Sequence, residues 1–170
     1  MIRRGALVIC LLLIVIDQIT KYFAERYLFL GEPVPVIEGL FNFTLVYNPG
    51  AAFGMFGDLP DPWRRITLGA VSLLALLVVI RFMYKEARED VVSQYALVAI
   101  LSGAIGNIID RVRFDAVIDF LDFYIGEHHW PAFNVADSAI SLGVCLLMFR
   151  VVFAKRTDIE STQVEPVAIK

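Results

Sequence analysis

Two carboxyl groups, Asp119 and Asp137, stand among large apolar residues in a stretch that runs from Val117 to Ser138. Asp119 is flanked by Val117, Ile118, Phe120 and Leu121. Asp137 opens the long apolar run Ala139 to Phe153, and Pro131 lies between the two acids. They therefore sit on different elements that can face each other. Ionisable groups at the edge of a hydrocarbon layer are costly and mark function by default. Two carboxyls close together in a partly dry site cannot both ionise easily, so they share one proton. The ionised member can take a proton from water while the protonated member polarises a carbonyl, which is acid–base chemistry for cutting a peptide bond. The plain alternative is a pair of solvated acids at a membrane surface.

Other polar residues gather around this pair in sequence. Asp17 and Lys21 are four apart on one helix, the spacing of an ion pair, with Lys21 expected to snorkel outward. Asn107, Asp110 and Arg111 share a helix face at i, i+3 and i+4; Arg111 is expected to hold Asp110 ionised, a structural role. Asn48 opens the turn Asn48-Pro49-Gly50. Asn134 stands three before Asp137, where a helix N-cap is expected. His128-His129 are adjacent and no His-Glu-x-x-His signature is present, so no metal or other cofactor is expected. Ser138 and Ser141 lack a Gly-x-Ser-x-Gly setting and a paired base.

Positioning these groups falls to four apolar segments: Gly5–Ala24, Ile66–Met83, Val92–Ile109 and Val135–Phe153. Each is near the ~20 residues that cross a ~30 Å hydrocarbon core as a helix. The 170 residues are 58% hydrophobic, and the mean hydropathy is +0.69, far above a soluble domain. The N-terminal run lacks a small-x-small cleavage site and continues into Asp17, Gln18 and Lys21, so it reads as a retained span. Cys10 and Cys145 fall in apolar runs and suggest no disulfide.

With a cytoplasmic N-terminus, Arg3, Arg4, Arg81, Lys85, Arg88, Arg150, Lys155, Arg156 and Lys170 lie inside. Lys21, Arg26, Arg64, Arg65, Arg111 and Arg113 lie outside, together with most of the acids. The basic excess places both termini in the cytoplasm. The net charge of −3 gives no reason to expect nucleic acid, and no obligate protein partner is expected.

In the first outer segment, Phe41, Phe43, Leu45 and Tyr47 alternate with Asn42, Thr44, Val46 and Asn48, the period of a half-buried strand. The small apolar stretch Ala51 to Gly57 is expected at the interface, and Asp61-Pro62-Trp63 starts the second span, whose role is scaffold. Ser102-Gly103-Ala104-Ile105-Gly106 lets a neighbouring helix pack closely. Residues 1–156 form one membrane domain, followed by a polar tail, 157–170, expected to be disordered.

Five motifs in this order resemble those of the bacterial lipoprotein signal peptidases (signal peptidase II), membrane aspartic proteases. They are Asp17-Gln18-x-x-Lys21, Asn48-x-Gly50-Ala51-Ala52-Phe53, Gly106-Asn107-x-x-Asp110-Arg111, Val117-x-Asp119-Phe120 and Phe133-Asn134-x-Ala136-Asp137-Ser138. The resemblance covers nearly the whole chain up to about Arg156. It implies a four-helix transmembrane bundle with a small extracytoplasmic β-cradle and a short interfacial helix over the site, to which the Gly50–Gly57 stretch would belong by position. It implies that Asp119 and Asp137 are the catalytic dyad. Asn48, Gly50, Asn107, Arg111 and Asn134 would line the site, with Asp17, Lys21 and Asp110 in support. The implied substrate is a diacylglyceryl-modified prolipoprotein held in membrane lipid, cut just before the lipidated cysteine. The implied location is the bacterial cytoplasmic (inner) membrane, with the active site at its outer face. Pro49, at the variable position of the Asn-x-Gly motif, stiffens the turn. A small proton-coupled transporter is the rival reading; it needs acids near the bilayer midplane.

Overall fold

Bulky apolar side chains on the first helix point outward. The computed structural model describes residues 3–51, 55–85 and 90–162. In α1 (Arg4–Tyr27), the buried residues are Ala6, Asp17, Lys21 and Ala24. Leu7, Val8, Leu11, Leu12, Val15, Ile16 and Ile19 are exposed. Such a helix would be inside out in water, and it is correctly faced in lipid. Among the described residues, α1, the span Trp63–Tyr84 and α3 (Val91–Phe114) are long and apolar enough to cross a membrane.

The second helix, α2 (Trp63–Lys85), exposes Leu73, Leu74, Leu77 and Val78 and leans on α3. It begins at Trp63, so Pro62 precedes the first helical residue. The Asp61 carboxylate pairs with Arg64 and Arg65 in the first turn.

The central helix is α3. It buries Ala96, Leu97, Val98, Ser102, Gly103, Gly106, Asn107 and Asp110. It packs most extensively on α4 (Val135–Thr162) and also meets α1. The small-residue run does what its spacing predicts: the place of a side chain on Gly103 is taken by the Ala136 carbonyl, and Gly143 of α4 faces the Ala96 carbonyl. At its start, the Asp90 carboxylate caps the Val92 amide at 3.3 Å and accepts from Arg150 of α4 at 3.0 Å. At its end, Asp115 adopts a left-handed conformation, φ 56°, and closes the last turn onto Arg111. The last helix continues to Thr162, so the polar tail expected from residue 157 begins as helix; residues 163–170 lie outside the described residues.

Four antiparallel strands make one sheet in the order β1 (Val34–Ile37), β2 (Phe41–Asn48), β3 (Val117–Ile125) and β4 (His128–His129). The expected strand at Phe41–Asn48 is present, but its burial departs from the expected alternation. Asn42, Thr44 and Leu45 are buried, while Phe43, Val46 and Tyr47 are exposed. An irregularity between Phe43 and Val46 shifts the register against β3. The buried polar face has its own reason: Asn42 pairs with Asp122 across the strands, donating at 3.0 Å. Between β2 and α2, residues 55–58 form turns, not the expected short interfacial helix, and the middle of the covering stretch, residues 52–54, lies outside the described residues.

Candidate active site

Asp119 enters the site from β3. The first four residues of this strand are all buried, so both faces are covered near the acid. Pairing with β2 sets Asp119 opposite Val46 and Val117 opposite Asn48. Asp119 is 2% exposed. Asn48 donates to its Oδ2 at 3.1 Å, and Asn134 donates to its Oδ1 at 2.7 Å. Burial and the nearby Asp137 carboxylate push the Asp119 carboxyl up to about 7, against the opposing pull of the Asn48 and Asn134 amides and the Lys21 charge.

Asp137 arrives from the first turn of α4. Asn134 and Asp137 cap that helix reciprocally. The Asp137 amide donates to Asn134 Oδ1 at 2.9 Å, and the Asn134 amide donates to Asp137 Oδ2 at 3.3 Å. The expected N-cap is therefore formed, and the same residue reaches the other acid. Asp137 Oδ1 accepts from Asn107 Nδ2 of α3 at 2.7 Å.

Behind the two acids lies a buried charge cluster. Lys21 is 1% exposed and does not snorkel. Its ammonium sits 3.0 Å from Asp17 Oδ2 and 2.7 Å from Asp110 Oδ2, and donates to Asn107 Oδ1 at 3.0 Å. Three acceptors at once outweigh the pull of solvent at the end of a four-carbon stem. Asp110 is thus held by Lys21, and not, as its neighbour in sequence suggested, by Arg111. Its Oδ2 also accepts from the Ile118 amide at 3.2 Å, next to Asp119. Asp17 Oδ1 accepts from the Ala136 amide at 2.9 Å, next to Asp137. Each supporting acid therefore fixes the backbone beside one acid of the pair.

Arg111 turns toward the outer loop and donates to the Gly50 carbonyl at 3.1 Å. The Gly50 amide donates to Asn48 Oδ1 at 2.9 Å, which turns the Asn48 amide nitrogen toward Asp119. All ten residues singled out from the sequence, Asp17, Lys21, Asn48, Gly50, Asn107, Asp110, Arg111, Asp119, Asn134 and Asp137, thus fall in one connected polar network.

Both acids line a cleft of about 870 Å³, together with Asn48, Asn107 and Arg111. One wall is the segment Trp130 to Phe133. Another is α2, through Val71, Ser72 and Ala75, facing Ile140, Ser141 and Leu142 of α4. The second helix is therefore more than the scaffold expected from its composition. The one hint in its sequence is Ser72 beside small Ala75 in a run of bulky aliphatics.

A family model described as signal peptidase (SPase) II matches residues 9–153. The chain belongs to the signal peptidase II family. A lipoprotein signal peptidase of Desulforapulum autotrophicum is 43% identical over 159 residues, 92% of this chain and 98% of that one. Another, from Syntrophus aciditrophicus, is 44% identical over 137 residues, 81% of this chain and 85% of its relative. A bacterial membrane enzyme solved at 2.3 Å superposes with a TM-score of 0.78 at 30% identity, covering 96% of this chain and 94% of that one. Membership in signal peptidase II makes the chain a membrane peptidase that removes signal peptides, and leaves the transporter reading without support.

Proposed function

We propose that Asp119 and Asp137 are the catalytic dyad with which this signal peptidase II cuts diacylglyceryl-modified prolipoproteins just before the lipidated cysteine. The observation that carries this is the meeting of two acids from different elements, β3 and α4, at one cleft, with Asn134 donating to both carboxyls: its side chain to Asp119 and its backbone amide to Asp137. Asp119, raised to about 7, keeps its proton below that pH and so takes the part of the acid. Asp137 accepts an N–H bond on each oxygen and takes the part of the base.

The reaction then divides between them. Asp137 accepts a proton from a water as its oxygen attacks the scissile carbonyl, and Asp119 donates its proton to the carbonyl oxygen. The tetrahedral intermediate collapses when the amide nitrogen takes the proton held by Asp137 and the C–N bond breaks. Asp119 recovers its proton from the gem-diol as the new carboxyl group forms. No group other than water is consumed.

Positioning comes from the bilayer. Four spans, α4 being the fourth, set the site at the outer face of the bacterial inner membrane with both termini in the cytoplasm. This rests on the excess of Lys and Arg on one side. The apolar reach of the cleft between α2 and α4 takes the acyl chains and apolar signal segment, so a lipid-anchored substrate is already held at the depth of the dyad.

The test uses the purified chain in lipid vesicles with a diacylglyceryl-modified prolipoprotein peptide. Asp119→Asn and Asp137→Asn should each retain the helical signal of the parent and lose cleavage by at least about three orders of magnitude. Cleavage by either folded variant at near-parental rate would remove the dyad from the mechanism.

A further inference from the structure

The outer sheet carries a second buried carboxylate that the chemistry above does not use. Asp122 is 7% exposed. Asn42 of β2 donates to its Oδ2 at 3.0 Å, and His129 of β4 places Nδ1 2.9 Å from Oδ1 and 3.0 Å from Oδ2. The imidazole also stacks on Tyr124, its partner across the β3–β4 ladder, at 4.9 Å and 8°.

The position of this contact gives it a consequence. Strand β4 is only two residues long and pairs with β3 at two positions, too little ladder to be stable by itself. Immediately after His129 the chain becomes the cleft wall, Trp130 to Phe133. That wall is bonded back to β3 through the Trp130 amide to the Phe123 carbonyl and through paired bonds between Phe133 and Leu121. Phe133 also stacks on Phe123. Asp122 lies between these two anchoring residues of β3, and its bond to His129 fixes the point from which the wall departs. Asn134, one residue beyond, is held separately by Ile118, by Asp119 and by the cap of α4. The inner end of the wall, at Phe133, shares β3 with the dyad, while its outer end, at Trp130, is held at Phe123 and Asp122 farther along the strand.

We infer that His129 and Asp122 are positioning residues that hold the Trp130–Phe133 wall against the substrate, acting on its binding and not on the chemical step. This rests on reading the cleft as the substrate site, and the clamp itself is tested by a readout that needs no activity.

The experiment compares the full chain with His129→Ala and His129→Asn in vesicles, measuring kcat and KM for the lipidated peptide. His129 has a half-exposed side chain, so neither change should prevent folding. His129→Ala should raise KM roughly three- to tenfold, with kcat held within about twofold. His129→Asn, whose amide can take the place of Nδ1, should return KM to near the parental value. In a Trp63→Phe background, the emission of Trp130 should shift and depolarise in the Ala variant and not in the Asn variant. An unchanged KM and unchanged Trp130 signal in His129→Ala would overturn the inference. So would an Asn variant indistinguishable from the Ala variant, because the ring stack on Tyr124 would then be the operative contact. If Asp119→Asn still cleaves, the dyad fails; the Trp130 signal still decides the clamp.

Discussion

Asp119 shows how a single residue's surroundings set a pH range. Its carboxyl is raised from the usual 3.8 to about 7, first by burial and then by the Asp137 charge. The neutral acid is the form that the fold prefers. The associated stability is complete below the ordinary carboxylate value and is lost as pH rises through about 7. Cleavage should therefore decline on an alkaline limb with a midpoint near pH 7, as the shared proton departs, and the pair as a whole owns that midpoint. Asn48 stabilises the ionised form, so Asn48→Ala should move the limb to higher pH while lowering kcat; a pH–rate profile checks both. An unmoved or lowered limb would remove Asn48 from the proton's surroundings. At this scale the sequence was generous. Carboxyls beside Phe, Leu and Ile are conspicuous because each costs free energy there unless it has partners. What it hid were the partners: Lys21 read as a snorkelling surface cation, because Asp110 and Asn107 lie far along the chain and on another helix.

At the scale of elements, α3 is the part on which the others align. Glycine at 103, 106 and 143 lets α1 and α4 approach it closely enough for short polar side chains to bridge the gap. Gly106 is the sharpest case, since an added Cβ would come 2.5 Å from the Asp17 carboxyl and 3.3 Å from the Ala136 side chain. That carboxyl is held by both Lys21 and the Ala136 amide, so it has no free direction in which to yield. Gly106→Ala should cost about 1–3 kcal/mol and reduce activity of the folded fraction. Thermal unfolding in detergent and the specific activity after removing aggregate measure the two effects. Helices were legible because their apolar runs have the length a bilayer requires. The sheet was less so. β3 is buried on both faces where Asp119 sits and shows no alternation, and β2 buries Asn42 and Thr44 as well as Leu45, so its alternation breaks mid-strand. Periodicity reports that a strand has two different faces, and gives no sign of which face meets water, lipid or another strand.

Across the whole molecule, the Asp17–Lys21–Asp110 cluster joins α1 to α3, and its outer bonds reach β3 and α4. The three charges lie almost wholly out of solvent, so removing the cation leaves two acids facing each other in the interior. Lys21→Met should destabilise the fold by about 3–5 kcal/mol. Asp110→Asn keeps a polar partner and should lower stability more than it lowers turnover per folded molecule. Comparing the yield of folded protein with its rate per molecule tests this division; normal yield with abolished turnover would refute it. The wide separation in sequence of these partners is the reason that the cluster could be named residue by residue from motifs and yet not be assembled from spacing.

The outward-facing leucines and isoleucines of α1 have an implication for when the enzyme becomes dangerous. A newly made chain can place its first helix in lipid before the later ones are synthesised, but Asp137 is then still absent and Lys21 has met neither Asp110 nor Asn107. With the dyad proposed above, proteolytic competence arises only when the last helix docks, so the order of synthesis itself delays the cutting edge until that helix is in place.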